Sequence, residues 1–271
     1  MKADSSRSVT LSVRTPLLLA LTVLVTLFTV VPMAVSAAAG LVENYATGWR
    51  SGLTLRWLRE VTSAYGGTVW ASVVLALGCV AVNLLVGVPC AYALARSPSR
   101  ATRAFEEVLT LPVAVPGLAT ALALILTYGS WRGFRASYGF ILVGHGVYTL
   151  PFMIRIVAAA FQRSELLDLD EAARSLGAGF VRRFSGVLVP AVAPSILAGC
   201  LMVFTLSVGE FNLTWMLHTP LTRTLPVGLA DSYASMRIEI GSAYTLLFFA
   251  VILPALWSMQ ALAGLLEKRH G

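Results

Sequence analysis

Six predominantly apolar runs, each about 20 residues or longer, constrain this 271-residue chain more than any other feature. A helix needs about 20 apolar residues to cross the hydrocarbon core of a bilayer. The runs span residues 15–39, 68–94, 106–128, 139–160, 192–216 and 241–266. We therefore predict an all-α membrane protein with six transmembrane helices in a single domain, 15–266, between short tails at 1–14 and 267–271.

The composition also indicates a protein surrounded by membrane lipid. Only 12% of the residues are charged and 57% are hydrophobic, whereas a soluble domain usually carries about 25% charged residues. The net charge of +7 does not indicate nucleic-acid binding, because the basic residues are scattered and form no patch or known motif. The first apolar run follows Lys2, Arg7 and Arg14, as in a signal peptide. We interpret it as a span, because it exceeds the roughly 7–15 apolar residues of a signal peptide.

The distribution of Lys and Arg predicts the orientation. With the N-terminus in the cytoplasm, 13 of the 20 basic residues lie on the cytoplasmic side and 7 on the outer side. Cytoplasmic loops of membrane proteins carry such an excess. Both termini are therefore predicted to be cytoplasmic, as is the segment 161–191 between the fourth and fifth spans.

This cytoplasmic segment has the pattern of two short amphipathic helices. Apolar residues at i, i+3, i+4 and i+7 form a stripe on the first helix: Leu169, Ala172, Ala173 and Leu176. A second stripe consists of Phe180, Phe184, Val187 and Leu188. We expect Asp168 or Asp170 to cap the start of the first helix. Gly177 and Gly179 would then supply the turn between the two helices.

Two interpretations of the segment remain open at this point. It can lie on the lipid surface or under the bundle, or it can dock against another protein. The two alanines at the centre of the first stripe bury little area but allow a close approach of the backbone. This favours docking over anchoring in lipid.

The stretch "EAARSLGAGFVRRFSGVLVP", residues 171–190, resembles the cytoplasmic signature of permease subunits in binding-protein-dependent ATP-binding-cassette (ABC) importers. That signature runs Glu-Ala-Ala, three residues, Gly, nine residues, a β-branched residue, one residue and Leu-Pro. The matching residues are Glu171, Ala172, Ala173, Gly177, Val187 and Pro190, while Val189 replaces the usual Leu. The segments 111–124 and 149–156 also resemble the corresponding spans of such permeases. The late segment, 206–217 followed by 222–233, is most similar to the branch with polyamine, aminoalkylphosphonate, ferric iron, sulfate and molybdate permeases.

The resemblance implies that the segment is a coupling helix that docks in a groove of a separate ATPase subunit. The residues implied in this contact are Glu171, Ala172, Ala173, Arg174, Gly177, Phe180 and Phe184. ATP and Mg²⁺ would be bound by that partner, with no cofactor in this chain. The complex would contain two ATPases, a second permease subunit (a paralogue rather than a second copy) and an external solute-binding protein, in a bacterial inner membrane.

The outer loops at 41–66 and 218–240 would receive the solute-binding protein. The late segment "TRTLPVGLADSY" leans towards a polyamine or aminoalkylphosphonate as cargo. Ferric iron or an oxyanion is the alternative that the same branch implies.

No catalytic motif is present in the sequence. It lacks a G-x-x-x-x-G-K-[ST] phosphate loop, H-E-x-x-H and G-x-S-x-G. Its three His are scattered, and we read the three Cys (Cys79, Cys90 and Cys200) as small buried hydrophobic residues. We therefore expect a transport subunit without a metal site. A secondary transporter that needs no ATPase is a more distant alternative, which inverted repeats would support.

Polar groups inside the spans are functional candidates because burying them in a membrane is costly. Candidates for the pathway or its gate are Glu210, His145, Asn212, Asn83 and Pro151. Glu210 can attract a cationic substrate, or it can have a structural or gating role. The second reading is favoured, because the Gly-Glu-Phe at 209–211 resembles anion permeases too.

Prolines locate the expected pathway. We expect Pro151 to kink the fourth span, and Pro112 and Pro116 the third. Broken helices are tolerated where neighbours or a water-filled path satisfy the backbone, so the pathway is predicted along spans three, four and five. Arg155, near the cytoplasmic end of span four, is expected to extend to water.

Overall fold

A computed structural model describes residues 5–97 and 99–270. These residues form an all-helical bundle without strands, apart from one isolated β-bridge between Val42 and Leu53. The helices are α1 (Ser5–Ala39), α2 (Arg56–Val82), α3 (Val88–Arg96), α4 (Arg100–Ala114), α5 (Gly117–Tyr128), α6 (Arg132–Arg135), α7 (Tyr138–Phe161), α8 (Ser164–Ser175), α9 (Phe180–Arg183), α10 (Val189–Ala191), α11 (Ala193–Gly209), α12 (Asn212–Leu217), α13 (Leu225–Ala234) and α14 (Ile238–His270).

The described chain contains four to six helices that are long and apolar enough to cross a membrane. Four are single rods: Pro16–Ala39, Arg56–Arg96, Tyr138–Phe161 and Ile238–Ala261. Two more spans result if each sharply bent pair counts as one, namely α4 with α5, bent by 104°, and the helices of 180–191 with α11, bent by 72°. The predicted all-helical membrane architecture is confirmed.

Several predicted boundaries differ from the structure. The second span was predicted over 68–94, but α2 and α3 form one continuous rod over Arg56–Arg96. The tail predicted at 1–14 is helical from Ser5 onward, with residues 1–4 outside the described part. The predicted tail at 267–271 is helical to His270, and Gly271 lies outside the described residues. Helices extend past the predicted apolar runs because polar residues can continue a helix in water.

Prolines break or reshape the helices in two ways. The predicted break at Pro116 is confirmed: Val115 is extended (φ −85°, ψ 135°), because the residue before a proline avoids the helical region. Two π-helical turns, Asn83–Gly87 and Phe184–Leu188, each end two residues before a proline, Pro89 or Pro190. By contrast, α7 continues through Pro151 as one helix.

Helix α7 lies at the centre of the bundle and packs against α3, α11, α2 and α12. Its residues Met153, Val157 and Phe161 are fully buried in the largest hydrophobic cluster. A β-carbon on Gly199 would lie 2.5 Å from the sulfur of Met153, so this glycine allows α11 to approach α7 closely. In contrast, α1 packs along α14, and its residues 16–35 are exposed to the surroundings, where lipid would lie.

The predicted outer loop at 218–240 is not a simple loop, because it contains the helix α13. Leu225 and Val227 of α13 are buried against α2 and α14, and the Leu225 amide donates to Ser72 Oγ at 2.7 Å. The loop after α1 is also ordered, since Trp57 Nε1 donates to the Val42 carbonyl at 2.9 Å. Both outer segments are therefore part of the packed bundle.

Candidate functional site

Glu210 lies at a break in the predicted fifth span, between α11 and α12. Its backbone is extended (φ −71°, ψ 120°), which ends α11. The carboxylate turns back and accepts hydrogen bonds from the amides of Leu213 at 2.9 Å and Thr214 at 2.8 Å. An acidic group at this position satisfies free amides and complements the helix dipole. Glu210 therefore acts as the cap of α12.

His145 on α7 joins both sides of this break. It is 1% exposed, and its Nδ1 lies 2.8 Å from Ser207 Oγ while Nε2 lies 2.7 Å from Thr214 Oγ1. Thr214 Oγ1 donates to Glu210 Oε2 at 2.8 Å, because a carboxylate can only accept. A neutral His145 ring then carries its proton on Nε2 and accepts from Ser207 on Nδ1.

The same network continues to the second span. Thr149 Oγ1 donates to the His145 carbonyl at 2.8 Å and accepts from Asn83 Nδ2 at 3.0 Å. The Cys79 sulfur lies 3.2 Å from the same hydroxyl. Three of the predicted pathway residues, Glu210, His145 and Asn83, thus belong to one buried hydrogen-bonded chain across three spans.

Asn212 and Pro151 lie outside that chain. Asn212 is exposed at the first position of α12, and its Cβ lies 3.4 Å from where a Cβ on Gly117 would be. The breaks in α4–α5 and α11–α12 therefore meet at this point. Pro151 borders a groove of about 440 Å³ between α4 and α7, which also has Arg103 and the exposed Arg155 along its wall.

Sequence reasoning missed the partners that complete this chain: Ser207, Thr214, Thr149 and Cys79. A signal was available, because each partner follows or precedes a predicted residue at helical spacing. Thr149 is four residues after His145, and Cys79 is four before Asn83. Polar residues at i and i+4 share one helix face.

The segment 161–191, predicted to be cytoplasmic, folds as two short helical stretches joined by a turn, as expected in outline. Helix α8 ends at Ser175, and Gly177 has a positive φ of +78°, where glycine avoids the strain of a side chain. The Ala178 amide donates to the Ala173 carbonyl at 3.1 Å, and the Gly177 amide donates to the Arg174 carbonyl at 2.9 Å. These two bonds form a Schellman motif, so the predicted turn at Gly177 is confirmed.

The predicted cap of this helix is wrong. Helix α8 begins at Ser164, so Asp168 and Asp170 lie within it. Asp170 instead accepts from Arg183 Nη1 and lies 3.7 Å from Arg96 Nη2. This ion cluster, which sequence reasoning missed, fastens α8 to the ends of α3 and α9.

The two predicted apolar stripes have different surroundings. Phe184 contacts Tyr92 and Phe161 in the bundle, and Leu188 is fully buried, so the second stripe largely faces inward. Phe180 is half-exposed beside Tyr92. The first stripe is largely uncovered: Leu176 is 88% exposed, and Leu169 and Ala172 are exposed as well.

The charged residues of this segment are also open to contact. Glu171 and Arg174 are exposed, and within the described residues neither forms an ion pair. The exposed surface of α8 thus carries both charged and apolar side chains, and these are available to contact a partner.

Comparison with known proteins identifies the family. Residues 83–269 match the model of the binding-protein-dependent transport system inner membrane component. The chain belongs to this family. It is a permease subunit of an ABC importer, a transport subunit rather than an enzyme.

Relatives and a solved structure agree with this assignment. The permease is 25% identical over 252 residues to PhnV of Salmonella typhimurium, named as a 2-aminoethylphosphonate transport system permease (91% of this chain, 94% of PhnV). It is 27% identical over 222 residues to the molybdenum transport system permease ModB of Escherichia coli (74% and 96%). A chain of a bacterial ABC transporter involved in alginate import has the same fold, with a TM-score of 0.70, 17% identity and coverage of 97% and 98%.

Proposed function

We propose that α8 is the coupling helix through which a separate ATPase drives this permease. The observation that carries this proposal is the uncovered apolar stripe of Leu169, Ala172 and Leu176, which runs into the start of the family signature at Glu171. The helix is held at its base by the Arg96–Asp170–Arg183 cluster. A fixed helix with a free apolar face can transmit a push from a partner to the spans.

The pathway is proposed to run along the two helix breaks. They adjoin at Gly117 and Asn212, and the Glu210–His145–Asn83 chain lies behind them. Glu210 is saturated by α12 amides and Thr214, so a role in holding the gate is favoured over substrate binding.

We propose six spans, with each bent pair counted as one, and both termini in the cytoplasm of a bacterial cell. The working complex would contain two ATPases, which bind ATP and Mg²⁺, a second permease, a paralogue rather than a copy, and a solute-binding protein on the outer side. The segments at 41–66, of which the part from Arg56 onward is the start of α2, and at 218–240 would contact that binding protein, because they form the outer end of the bundle in this topology.

We propose an aminoalkylphosphonate as the cargo, because the PhnV relative aligns over nearly its whole length. An oxyanion is the second candidate, favoured by the similarity to ModB. Polyamines and ferric iron are supported only by the motif resemblance. A panel of these solutes, tested for uptake with the cognate binding protein, distinguishes the candidates.

The coupling proposal is tested by replacing one residue at the centre of the stripe. The permease is co-expressed with the P-loop ATPase of an adjacent reading frame and purified by a tag on the permease. Ala172→Arg places a charge on the apolar docking face, so we expect at least about tenfold less co-purified ATPase, since a buried unpaired charge costs several kcal/mol.

Ser164→Arg is the matched control, because Ser164 is exposed on the same helix outside the stripe. It should leave ATPase recovery unchanged. Wild-type recovery and uptake in the Ala172→Arg variant would refute the docking role of α8.

A further inference from the structure

A small polar pocket lies where α2, α13 and α14 meet, away from the helix breaks and from α8. Its volume is about 250 Å³, the space of several water molecules. Two arginines border it, Arg223 before α13 and Arg237 before α14, together with the carboxylate of Asp231. The lining therefore carries two positive charges and one negative charge.

Arg223 has unused hydrogen-bonding capacity at this pocket. Its nearest ion-pair contact, Nη1 to Asp231 Oδ2, is 3.6 Å long, beyond hydrogen-bond distance. Among the described residues its guanidinium donates no hydrogen bond, and its Nε is buried without a partner. A guanidinium has five donors arranged as a fork, which fits the oxygens of phosphate and carboxylate groups.

Arg237 completes the positive side of the pocket. Its Nη2 donates to Glu60 Oε1 at 2.8 Å, and its side chain is 44% exposed. A guanidinium is charged at all physiological pH values, and the hydrogen bond with Tyr65 raises the pKa of Arg237 further. A guanidinium has five N–H donors, so Arg237 has further donors beyond its bonds with Glu60 and with Tyr65, which lines the pocket.

The floor of the pocket is formed by a close approach of α13 to α14. A Cβ on Gly228 would lie 2.8 Å from the ring and hydroxyl of Tyr244, so only glycine fits there. Tyr244 is 1% exposed, which gives the pocket a rigid base. The concave shape is therefore built into the packing of the two helices.

We propose that Arg223 and Arg237 bind a phosphate or phosphonate group in this pocket. Glu60 already balances the charge of Arg237. The free donors of Arg223, whose contact with Asp231 is 3.6 Å long, are therefore what select an oxyanion over a cation. Two sources share this chemistry, the headgroup of a surrounding phospholipid and a free phosphate or phosphonate. Binding here does not depend on the ATPase or on transport, so it is separable from the proposed function.

The test uses the purified full-length permease in two arms. In the first, calorimetry measures binding of inorganic phosphate and 2-aminoethylphosphonate to delipidated protein. In the second, native mass spectrometry measures retention of phosphatidylglycerol from nanodiscs. We expect binding in at least one arm, and the arm in which it occurs identifies the source.

Two variants are expected to change the binding affinity in opposite directions. Misfolding would lower the affinity in both, so the pair distinguishes an effect on binding from an effect on folding. Arg223→Gln should weaken binding about tenfold or more, since charge-assisted hydrogen bonds are lost. Asp231→Asn should strengthen phosphate binding, since it removes the negative charge. Arg132→Gln, at an exposed arginine outside the pocket, should change nothing.

No binding in either arm would overturn the proposal. Equal binding by wild type and Arg223→Gln would also overturn it, as would a loss in Asp231→Asn as large as in Arg223→Gln.

Discussion

At the scale of single residues, burial makes the hydrogen bonds of His145 obligatory. Its ring lies between Ser207 on α11 and Thr214 on α12 and is only 1% exposed, so the two hydroxyls are its partners in place of solvent. Thr214 is central because its hydroxyl serves both His145 and Glu210. Losing that one hydroxyl leaves two buried polar groups with fewer partners.

We expect Thr214→Val to destabilise the permease by about 1–3 kcal/mol, the typical cost of leaving buried polar groups unsatisfied. The substitution preserves shape while removing the hydroxyl. Thermal unfolding in detergent micelles measures the effect as a lower Tm.

Thr205→Val is the control, because among the described residues Thr205 Oγ1 bonds only to the Leu201 carbonyl of its own helix. Its cost should stay within about 0.5 kcal/mol. Equal losses in the two variants would show that the His145–Glu210 link adds no stability.

At the scale of elements, the end of α8 depends on one backbone conformation. Gly177 adopts a φ of +78°, and apart from its own chain neighbours no atom of the described residues lies within 4 Å of where its Cβ would be. A side chain there would therefore meet no steric contact, and any cost would come from the backbone alone. Gly179 has a φ of −67° and equally open surroundings.

Gly177→Ala should therefore cost about 1–2 kcal/mol, the strain of an L-residue in the left-handed region. Gly179→Ala should be neutral or slightly stabilising, because it restricts only the unfolded chain. Hydrogen exchange at the α8 amides reports the difference. Faster exchange in Gly177→Ala than in Gly179→Ala is the expected result, and equal rates would contradict it.

At the scale of the whole molecule, orientation follows from the basic residues on the two sides of the bundle. The counts of 13 and 7 predict that α8 lies in the cytoplasm and the loop after α1 outside. The two segments lie between different spans, so they can be labelled separately.

We expect a membrane-impermeant maleimide to label Arg50→Cys, but not Ser175→Cys, in intact cells. Both positions are exposed, and the three native cysteines are first replaced. Ser175→Cys should react only after the membrane is opened. Labelling of Ser175→Cys in intact cells would contradict the proposed orientation and indicate the opposite one.

Structural features that depend only on residues close together in the sequence could be predicted. The break at Pro116 and the turn at Gly177 were predicted because proline and glycine act on their own backbone. The cap of α8 was misassigned because Asp170 is drawn to Arg183 and Arg96, which approach only in the folded chain. Helix α13 was missed because its apolar residues become informative only once α2 and α14 lie beside it.

The sequence by itself determined that the chain is a membrane-embedded helical permease. The length of an apolar run and a short signature can both be recognised in consecutive residues, without knowing which other residues lie nearby in the folded chain. Only the tertiary structure decided which polar groups meet. Ser207 and Thr214 lie 62 and 69 residues from His145, and such distances close only when packing of the spans removes water and leaves these groups one another as partners.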